Sequence, residues 1–528
     1  MLKRKWLAST LVSLVLFGCA TTYESAERTY QDGDYAKARE FWQKLALEGD
    51  SRSMYRLYTS TYHPSNEDIE WLKKAADSGL IAAQYDYGMY LLQEEKYKDA
   101  KAYLTLASDG SSEKAEKVLN DNVELFPLWI KAEEGDIDST EKLGNYYWNK
   151  KDYKQSLKWY ERCSERNDDC SFYMGYANSH GYGLEKNEKE AIKWYTISAK
   201  AGSASAARNL AWQYEDGVGT RIDKQKAFYW MEKAAKSLWV AQAELGRYYL
   251  YGVGTEKNTD QAFIHLSQAA PHTKYAAYHL GRMYYYGDGL KQDYKKSYEY
   301  FLKASEQNHS WSDYFIGNHY YYGYGKDKSN EQAYKWFEKA ATEGVVDAQF
   351  RLGWMLSEGE GISKNFREAF TWYKKAAEQG SLAAQNNLGV MYTEGTGTEK
   401  DDYQAFKWFE KAAEQGDDVA QYNLGVRYEV GRGVRQSNEL AAFWYAKSAQ
   451  KNYKKAQLNL SNVLNKLRTK TVQIKQTSIY KNNNFDSEEL LTLSQGEPVY
   501  VLSLGSQWTE VYVLKNHTIG YVNNTHLY

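Results

Sequence analysis

The run Ala384-Gln-Asn-Asn-Leu388-Gly389-Val-Met-Tyr392-Thr-Glu-Gly395-Thr-Gly397 decides the fold, because the chain repeats it. It returns as Ala348…Leu352-Gly353…Gly359-Glu-Gly361 and as Ala420…Leu424-Gly425…Tyr428…Gly431-Arg-Gly433. Working outward, the mid-run glycine falls at 425, 389, 353, 317, 281 and 246, then Ala211, then Gly175. The Gly-x-Gly pair falls at 431, 395, 359, 323, 287, 252, 217 and 181, every step being 35 or 36 residues. A fixed period of this length is the signature of a repeat architecture in which each unit is one supersecondary element. Ala384, Leu388 and Tyr392 recur every four residues, which predicts a helix, called helix A here, with those three on one face. A glycine inside a helix costs about 1 kcal/mol against alanine, so its recurrence implies a neighbour too close for a Cβ. Gly395 then ends the helix, glycine being the residue that accepts the left-handed C′ conformation.

A second helix, helix B, follows a polar loop. Asn187, Asp223, Asn258, Asp293, Ser329, Asn365, Asp401 and Ser437 each stand four residues before its first apolar position. All are residue types that cap a helix N-terminus, each worth about 0.5–2 kcal/mol against alanine. Ala405, Trp408, Phe409, Ala412 and Ala413, and likewise Ala369, Trp372, Tyr373, Ala376 and Ala377, have the spacing of one buried face.

The pattern Ala-x-x-x-Leu-Gly-x-x-Tyr…Gly-x-Gly…Ala-x-x-Trp-Tyr-x-Lys-Ala-Ala resembles Sel1-like repeats, relatives of the tetratricopeptide repeat, most strongly over 170–450. The resemblance implies a mostly α protein, an α/α superhelical solenoid of helical hairpins with a groove, acting as an adaptor that gathers protein partners. Residues 136–450 are assigned to Sel1-like repeats and 29–135 to degenerate, tetratricopeptide-like units. In the latter, Tyr35, Ala38, Phe41 and Trp42 look like a helix B without its partner pattern, and Pro127 marks a break or bend between two stretches. Residues 451–468 read as a capping helix carrying Ala456, Leu458, Leu460, Val463 and Leu464.

From Thr471 the period changes to alternation, with turn signals at Gly496, Gly505 and Asn516. Gln495-Gly-Glu-Pro-Val-Tyr-Val-Leu…Trp508-Thr-Glu-Val…Ile519-Gly520-Tyr521-Val522…Leu527 resembles bacterial SH3-like domains, which implies a small all-β barrel over 471–528. Some members of that family bind cell-wall peptides, which makes Trp508 and Tyr521 candidate contact residues. Ile479-Tyr-Lys-Asn-Asn-Asn484 departs from the family's Asn-Val-Arg-x-Gly-Pro signature. A barrel that caps the solenoid or docks a protein is the other reading.

At the start, Lys3, Arg4 and Lys5 precede an apolar run from Trp6 to Phe17, too short to span a bilayer comfortably. Leu16-Phe17-Gly18-Cys19 resembles the bacterial lipoprotein lipobox. The resemblance implies a signal peptide over 1–18, a palmitate-type lipid on Cys19, a linker over 19–28, and membrane attachment through that lipid. Ala20 in place of Asp implies the outer membrane of a Gram-negative cell envelope, with the chain facing the periplasm.

With Cys19 lipidated, Cys163 and Cys170 remain as a disulfide candidate in an oxidising compartment. In the repeat alignment they replace small residues at the end of one helix B and the start of the next helix A. They also resemble the spacing in cysteine-rich secreted members of the Sel1-like family.

Composition narrows the function classes. The 528 residues include 50 Tyr and only 4 Pro, which suits a helical protein with an ample apolar surface. The mean hydropathy of −0.76 excludes a polytopic membrane protein. A net charge of −2 from 67 basic and 69 acidic residues gives no reason to expect nucleic acid. The nine His are scattered, no His-Glu-x-x-His or Cys-x-x-Cys occurs, and no Gly-x-Ser-x-Gly elbow occurs. No metal, cofactor or catalytic residue is therefore assigned. Some secreted relatives have been linked to β-lactam binding or hydrolysis, but no nucleophile with a base stands out here.

The units also break their own pattern. The two residues before Gly-x-Gly are polar in Thr393-Glu394 but become Leu250-Tyr251, Tyr285-Tyr286 and Tyr321-Tyr322 in three consecutive units, with Tyr324 and Tyr182 inside the loops. A tyrosine stripe of this kind serves either inter-repeat packing or a partner or glycan site. Tyr251, Tyr285, Tyr286, Tyr321, Tyr322 and Tyr324 are the candidates. The expected function is a lipid-anchored periplasmic scaffold that binds protein partners of an envelope assembly. Peptidoglycan or polysaccharide is the alternative ligand.

Overall fold

The computed structural model describes residues 21–514 and 518–527, so the signal segment and Cys19 lie outside it. Among the described residues 27 helices pair into antiparallel hairpins, and a sheet of six strands follows. The chain divides into two compact units, 1–241 and 242–528. Each is a solenoid of stacked hairpins, as the period predicts.

The local chemistry is that of the repeat. In the unit after Asp401, helix B spans Asp402–Glu414 and buries Ala405, Phe406, Phe409, Ala412 and Ala413. The Asp401 carboxylate accepts from the Gln404 N–H. All eight predicted caps accept a backbone N–H in this way. Helix A, Leu382–Glu394, ends at Gly395 with φ 74°. Buried methylenes and rings supply the stability, about 25 cal/mol per Å² of apolar area removed from water.

Two details differ from the sequence expectation. Trp408 and Trp372 are half-buried, and Phe409 and Tyr373 fill the core instead. Each Trp has the ammonium of the lysine three residues on above its ring, Lys375 at 4.1 Å from Trp372 and Lys411 at 5.2 Å from Trp408. The close neighbour of the mid-helix glycine is the side chain of helix B, twenty residues on. A Cβ on Gly389 would stand 2.7 Å from the Phe409 ring. Gly281 meets Phe301 and Gly425 meets Tyr445 in the same way. Where the chain has Ala211, position 231 is the unbranched Met231, which adapts its shape.

The second glycine of Gly-x-Gly has a separate duty. Gly397 has φ 74°, and any Cβ there would collide with the carbonyl oxygen of Phe366, in helix B of the preceding unit. Backbone therefore meets backbone between units at this loop. A further stitch is absent from the sequence reading. Gln349, Gln385 and Gln421 are buried and donate from Nε2 to the carbonyls of Ala341, Ala377 and Ala413, at 3.0–3.2 Å. They add a second donor to helix-end carbonyls that also accept from the Gly344, Gly380 and Gly416 N–H groups.

In the first unit, the 19–28 linker is corrected in part. Thr22 forms a capping box with Ser25, and a helix spans Tyr23–Gln31. Its Tyr30 ring lies 5.3 Å from Trp42, so this helix pairs with Tyr35–Leu47 although it lacks the repeat's helix A pattern. The break near Pro127 falls at residues 122–124. Pro127 itself stands in the first turn of the helix Leu125–Glu133, where its missing N–H costs nothing.

The second unit ends in helix Lys454–Leu464, which buries Ala456, Leu460, Val463 and Leu464 but leaves Leu458 exposed. The strands are β1 Thr469–Thr471, β2 Gln476–Tyr480, β3 Glu489–Ser494, β4 Pro498–Leu504, β5 Trp508–Val513 and β6 Thr518–Asn523. Their order is β1-β4-β5-β6-β2-β3, all antiparallel. The expected closed barrel is corrected here to an open sheet: β1 and β3 form its two edges and do not pair with each other. One face holds a core of Val472, Ile479, Leu493, Val499, Val511, Val513, Val522 and Leu527. The other face turns Leu502 and Tyr512 into the core of the last hairpin, with Tyr445, Leu460 and Val463.

Candidate functional site

The tyrosine pairs ahead of Gly-x-Gly divide between two tasks. Adjacent helical residues point about 100° apart, so one of each pair faces the neighbouring hairpin and the other faces out. Leu250 is 2% exposed, whereas Tyr251, Tyr286 and Tyr322 are 47%, 58% and 45% exposed. Tyr285 sits among Phe315 at 5.2 Å, His319 at 5.5 Å and Tyr324 at 5.8 Å between ring centroids. Tyr321 donates its hydroxyl to Glu360 at 2.6 Å. Tyr324 stacks on Tyr294 at 4.4 Å and on Tyr322 at 5.2 Å. Tyr285, Tyr321 and Tyr324 are thus engaged in packing, and Tyr251, Tyr286 and Tyr322 present rings to solvent.

The outward face holds more than the sequence reading named. Helix Lys274–Tyr286 also exposes Tyr275, three turns before Tyr286, and helix Ser310–Tyr322 exposes Trp311, three turns before Tyr322. Half-buried Tyr278 and Tyr314 lie between them. Phe315 ties the two helices together, 6.0 Å from Tyr278 and 6.3 Å from Tyr286. Arginines frame the patch. The Arg282 guanidinium lies 5.8 Å from the Tyr278 ring and 5.7 Å from Tyr286. Arg351 stands 5.9 Å from the Tyr322 ring and donates to its hydroxyl at 3.1 Å. The signal was available in the period. Tyr275 and Trp311 are one repeat apart, and the next positions in that series are Asp347 and Ala383.

The histidines buried beneath this face are neutral, His279 among them, its pKa lowered to about 3 by burial. His319 is fully buried, with Nδ1 2.5 Å from the Tyr324 carbonyl and Nε2 3.2 Å from the Ser297 hydroxyl. Burial lowers its pKa to about 4. His309 caps the helix Ser310–Tyr322, its Nδ1 accepting from the Ser312 N–H at 3.3 Å, and burial lowers its pKa to about 4. The positive charge of the patch at neutral pH therefore sits on Arg282, Arg351 and Lys274, whose ammonium lies 5.8 Å from the Tyr275 ring.

The other candidates lie elsewhere. Cys163, at the end of helix Tyr153–Cys163, is joined by a disulfide to Cys170, in the first turn of helix Asp168–His180, with Cα atoms 5.8 Å apart. Trp508 packs on Phe485 at 4.6 Å and on Tyr480 at 5.7 Å. Tyr521 is opposite Glu510 in the β5–β6 ladder and hydrogen-bonds to it.

The Sel1 repeat model matches residues 23–50, 69–80, 143–168, 169–203, 204–237, 239–270, 274–309, 312–345, 346–381, 382–417 and 418–453. The chain belongs to the Sel1 repeat family. Among solved structures it is similar to c5321, a protective antigen of uropathogenic Escherichia coli with an SLR fold. That likeness has 27% identity and a TM-score of 0.55, and covers 81% of this chain and 91% of that one. Among curated proteins, a sel1-like repeat-containing protein of Acanthamoeba polyphaga mimivirus is 40% identical over 70 residues, 13% of each chain. The chitin synthase regulator SKT5 of Saccharomyces cerevisiae is 28% identical over 257 residues, 42% of this chain. The chain spans 13% and 34% of the lengths of these two relatives.

Sel1-repeat proteins are generally non-catalytic scaffolds that bind protein partners. In this Sel1 protein the repeat glycines and caps are accounted for by helix ends and close packing, so they carry no chemistry. The outward aromatic and arginine face on 274–322 is one surface that the hairpins do not need for their own packing. Rigid rings and forked cations of this kind are the residue types that dominate protein interfaces.

Proposed function

We propose that this chain is a lipid-anchored envelope scaffold, held to the outer membrane through Cys19 and facing the periplasm. A partner polypeptide of an envelope assembly docks on the outward face of helices Lys274–Tyr286 and Ser310–Tyr322. The observation that carries the docking site is the pairing of two exposed rings on each of two adjacent helices, Tyr275 with Tyr286 and Trp311 with Tyr322, continued by Tyr251 at the matching position of the unit before. The lipobox-like Leu16–Cys19 and the Cys163–Cys170 bond support the compartment, since disulfides persist outside the reducing cytosol. Arg282 and Arg351 favour a partner segment that carries carboxylates.

A photo-crosslinking residue placed at 286 or 322 in intact cells is expected to capture a protein partner. Tyr286→Ser with Tyr322→Ser is expected to abolish that capture from a neighbouring crosslinker at 275, with thermal stability unchanged. Capture that survives the double substitution sinks the docking site. Cys19→Ala is expected to move the chain from the membrane fraction to the soluble fraction, and continued membrane association would refute the anchor. Thiol titration of unreduced protein from the envelope is expected to find no free thiol.

A further inference from the structure

The outer face of the sheet and the last helical hairpin enclose a cleft of about 990 Å³. Its floor is fixed, because Leu502 and Tyr512 are buried in the same core as Tyr445 and Leu460 of that hairpin. One wall is helix Asn438–Gln450 and the turn after it, bringing Phe443, Lys447 and, from the following helix, Gln457. The other is the sheet, bringing Asn482, Glu510 and Tyr521.

The register of the strands extends this cleft into a platform. Directly opposed residues in an antiparallel ladder share a face, and residues two apart on one strand share it too. Glu510 opposes Tyr521, and Tyr521 opposes Tyr480 across β2. Trp508 is two residues before Glu510 on β5. Trp508, Glu510, Tyr521 and Tyr480 therefore lie on one face. Phe485, 54% exposed, leans on Trp508 and Tyr480 and widens the aromatic end.

The chemistry of this strip is specific. Three rings at one end offer apolar faces. At the other, a carboxyl, a phenol, two side-chain amides and an ammonium converge within one cleft. The Lys447 Nζ lies 4.6 Å from the Phe443 ring and has no carboxylate within ion-pair distance among the described residues, while Lys481 is engaged by Glu488 at 2.8 Å. Burial pushes the Glu510 carboxyl pKa up, against the hydrogen bond from Tyr521 and the nearby Lys447 charge. A ligand with flat C–H faces and many hydroxyls matches both ends. A peptide added to a sheet pairs with an edge strand, and β1 and β3 are the edges here, whereas this cleft lies over the face.

We propose that this cleft binds a linear oligosaccharide of equatorially linked pyranoses, with sugar rings stacked on Trp508 and Phe485 and hydroxyls held by Glu510, Tyr521, Asn482 and Lys447. The site is separate from the docking face on 274–322, and neither depends on the other.

Calorimetric titration of the full chain with chitohexaose and with cellohexaose tests it. Binding of at least one probe is expected, and which one binds reports whether an acetamido group is required. Phe485→Ala and Lys447→Ala, both outside the buried core, are each expected to weaken binding at least tenfold. Tyr286→Ser serves as the control and is expected to bind as the parent does. The proposal is overturned if neither probe binds, if either Phe485→Ala or Lys447→Ala leaves affinity unchanged, or if the chain binds a peptidoglycan stem tetrapeptide and neither sugar.

Discussion

The units around Ala384 and those around Tyr278 share one backbone and differ in what they leave facing out and what they bury beneath. In the former, the outward positions matching Trp311 and Tyr322 are Ala383 and Glu394, and the buried position matching His319 is Met391. In the latter these positions hold Tyr275, Tyr286 and Met283 in one unit and Trp311, Tyr322 and His319 in the next. Both sets keep the capped helix B, the left-handed C′ glycine and the ring packed on the mid-helix glycine. The difference teaches that the period specifies the hairpin and that departures from it lie on surfaces the hairpin does not need.

The largest effect should therefore be common to both regions. Phe409→Ala and Phe301→Ala each remove a fully packed ring and should cost about 3–5 kcal/mol, measured by urea unfolding. A cost under about 1 kcal/mol in either would mean that the ring is not the shared core element.

Acid should separate the regions next. An unfolded His protonates near its ordinary pKa, while His319 stays neutral in the fold down to about 4. The unfolded state therefore binds the extra proton, and the stability is fully present above pH ~6.5 and is lost as pH falls toward 4. The loss should be about 1.4 kcal/mol per pH unit in that window, or roughly 3 kcal/mol at its lower end. Hydrogen exchange of 274–342 followed from pH 7 to 4 should show it, and His319→Met, the residue found at 355 and 391, should remove the His319 share and leave those of His309 and His279. An unchanged pH profile in that variant breaks the comparison at this point.

The two glycines of one loop offer a finer contrast. Gly397→Ala sets a Cβ against the Phe366 carbonyl and adds strain at positive φ, whereas Gly395→Ala meets only Lys400 at 3.3 Å or more. The first should cost about 2–3 kcal/mol and the second about 1. Equal costs would deny the inter-unit contact.

The smallest effect belongs to the outward rings. Tyr286→Ser and Tyr322→Ser should each change stability by less than about 0.5 kcal/mol, while Tyr285→Ser should cost several times more. Comparable costs at 285 and 286 would erase the division between packing and display.

By itself the sequence determined the hairpin: its period, the eight N-caps, the C′ glycines and the change of period near Thr471 all rest on chemistry within a few residues. Contacts between elements were not legible in the same way. That Trp408 yields the core to Phe409, that Gln385 reaches back to Ala377, and that Gly397 abuts Phe366 depend on which helix lies next to which. The same holds for function. The period named Tyr286 and Tyr322 and spaced Tyr275 and Trp311 one repeat apart, but only the stacking of one helix on the next assigned Tyr285 to packing. Alternation predicted strands, yet closure of the sheet depends on whether β1 meets β3, which no local pattern encodes, and the tertiary structure leaves both edges unpaired with each other.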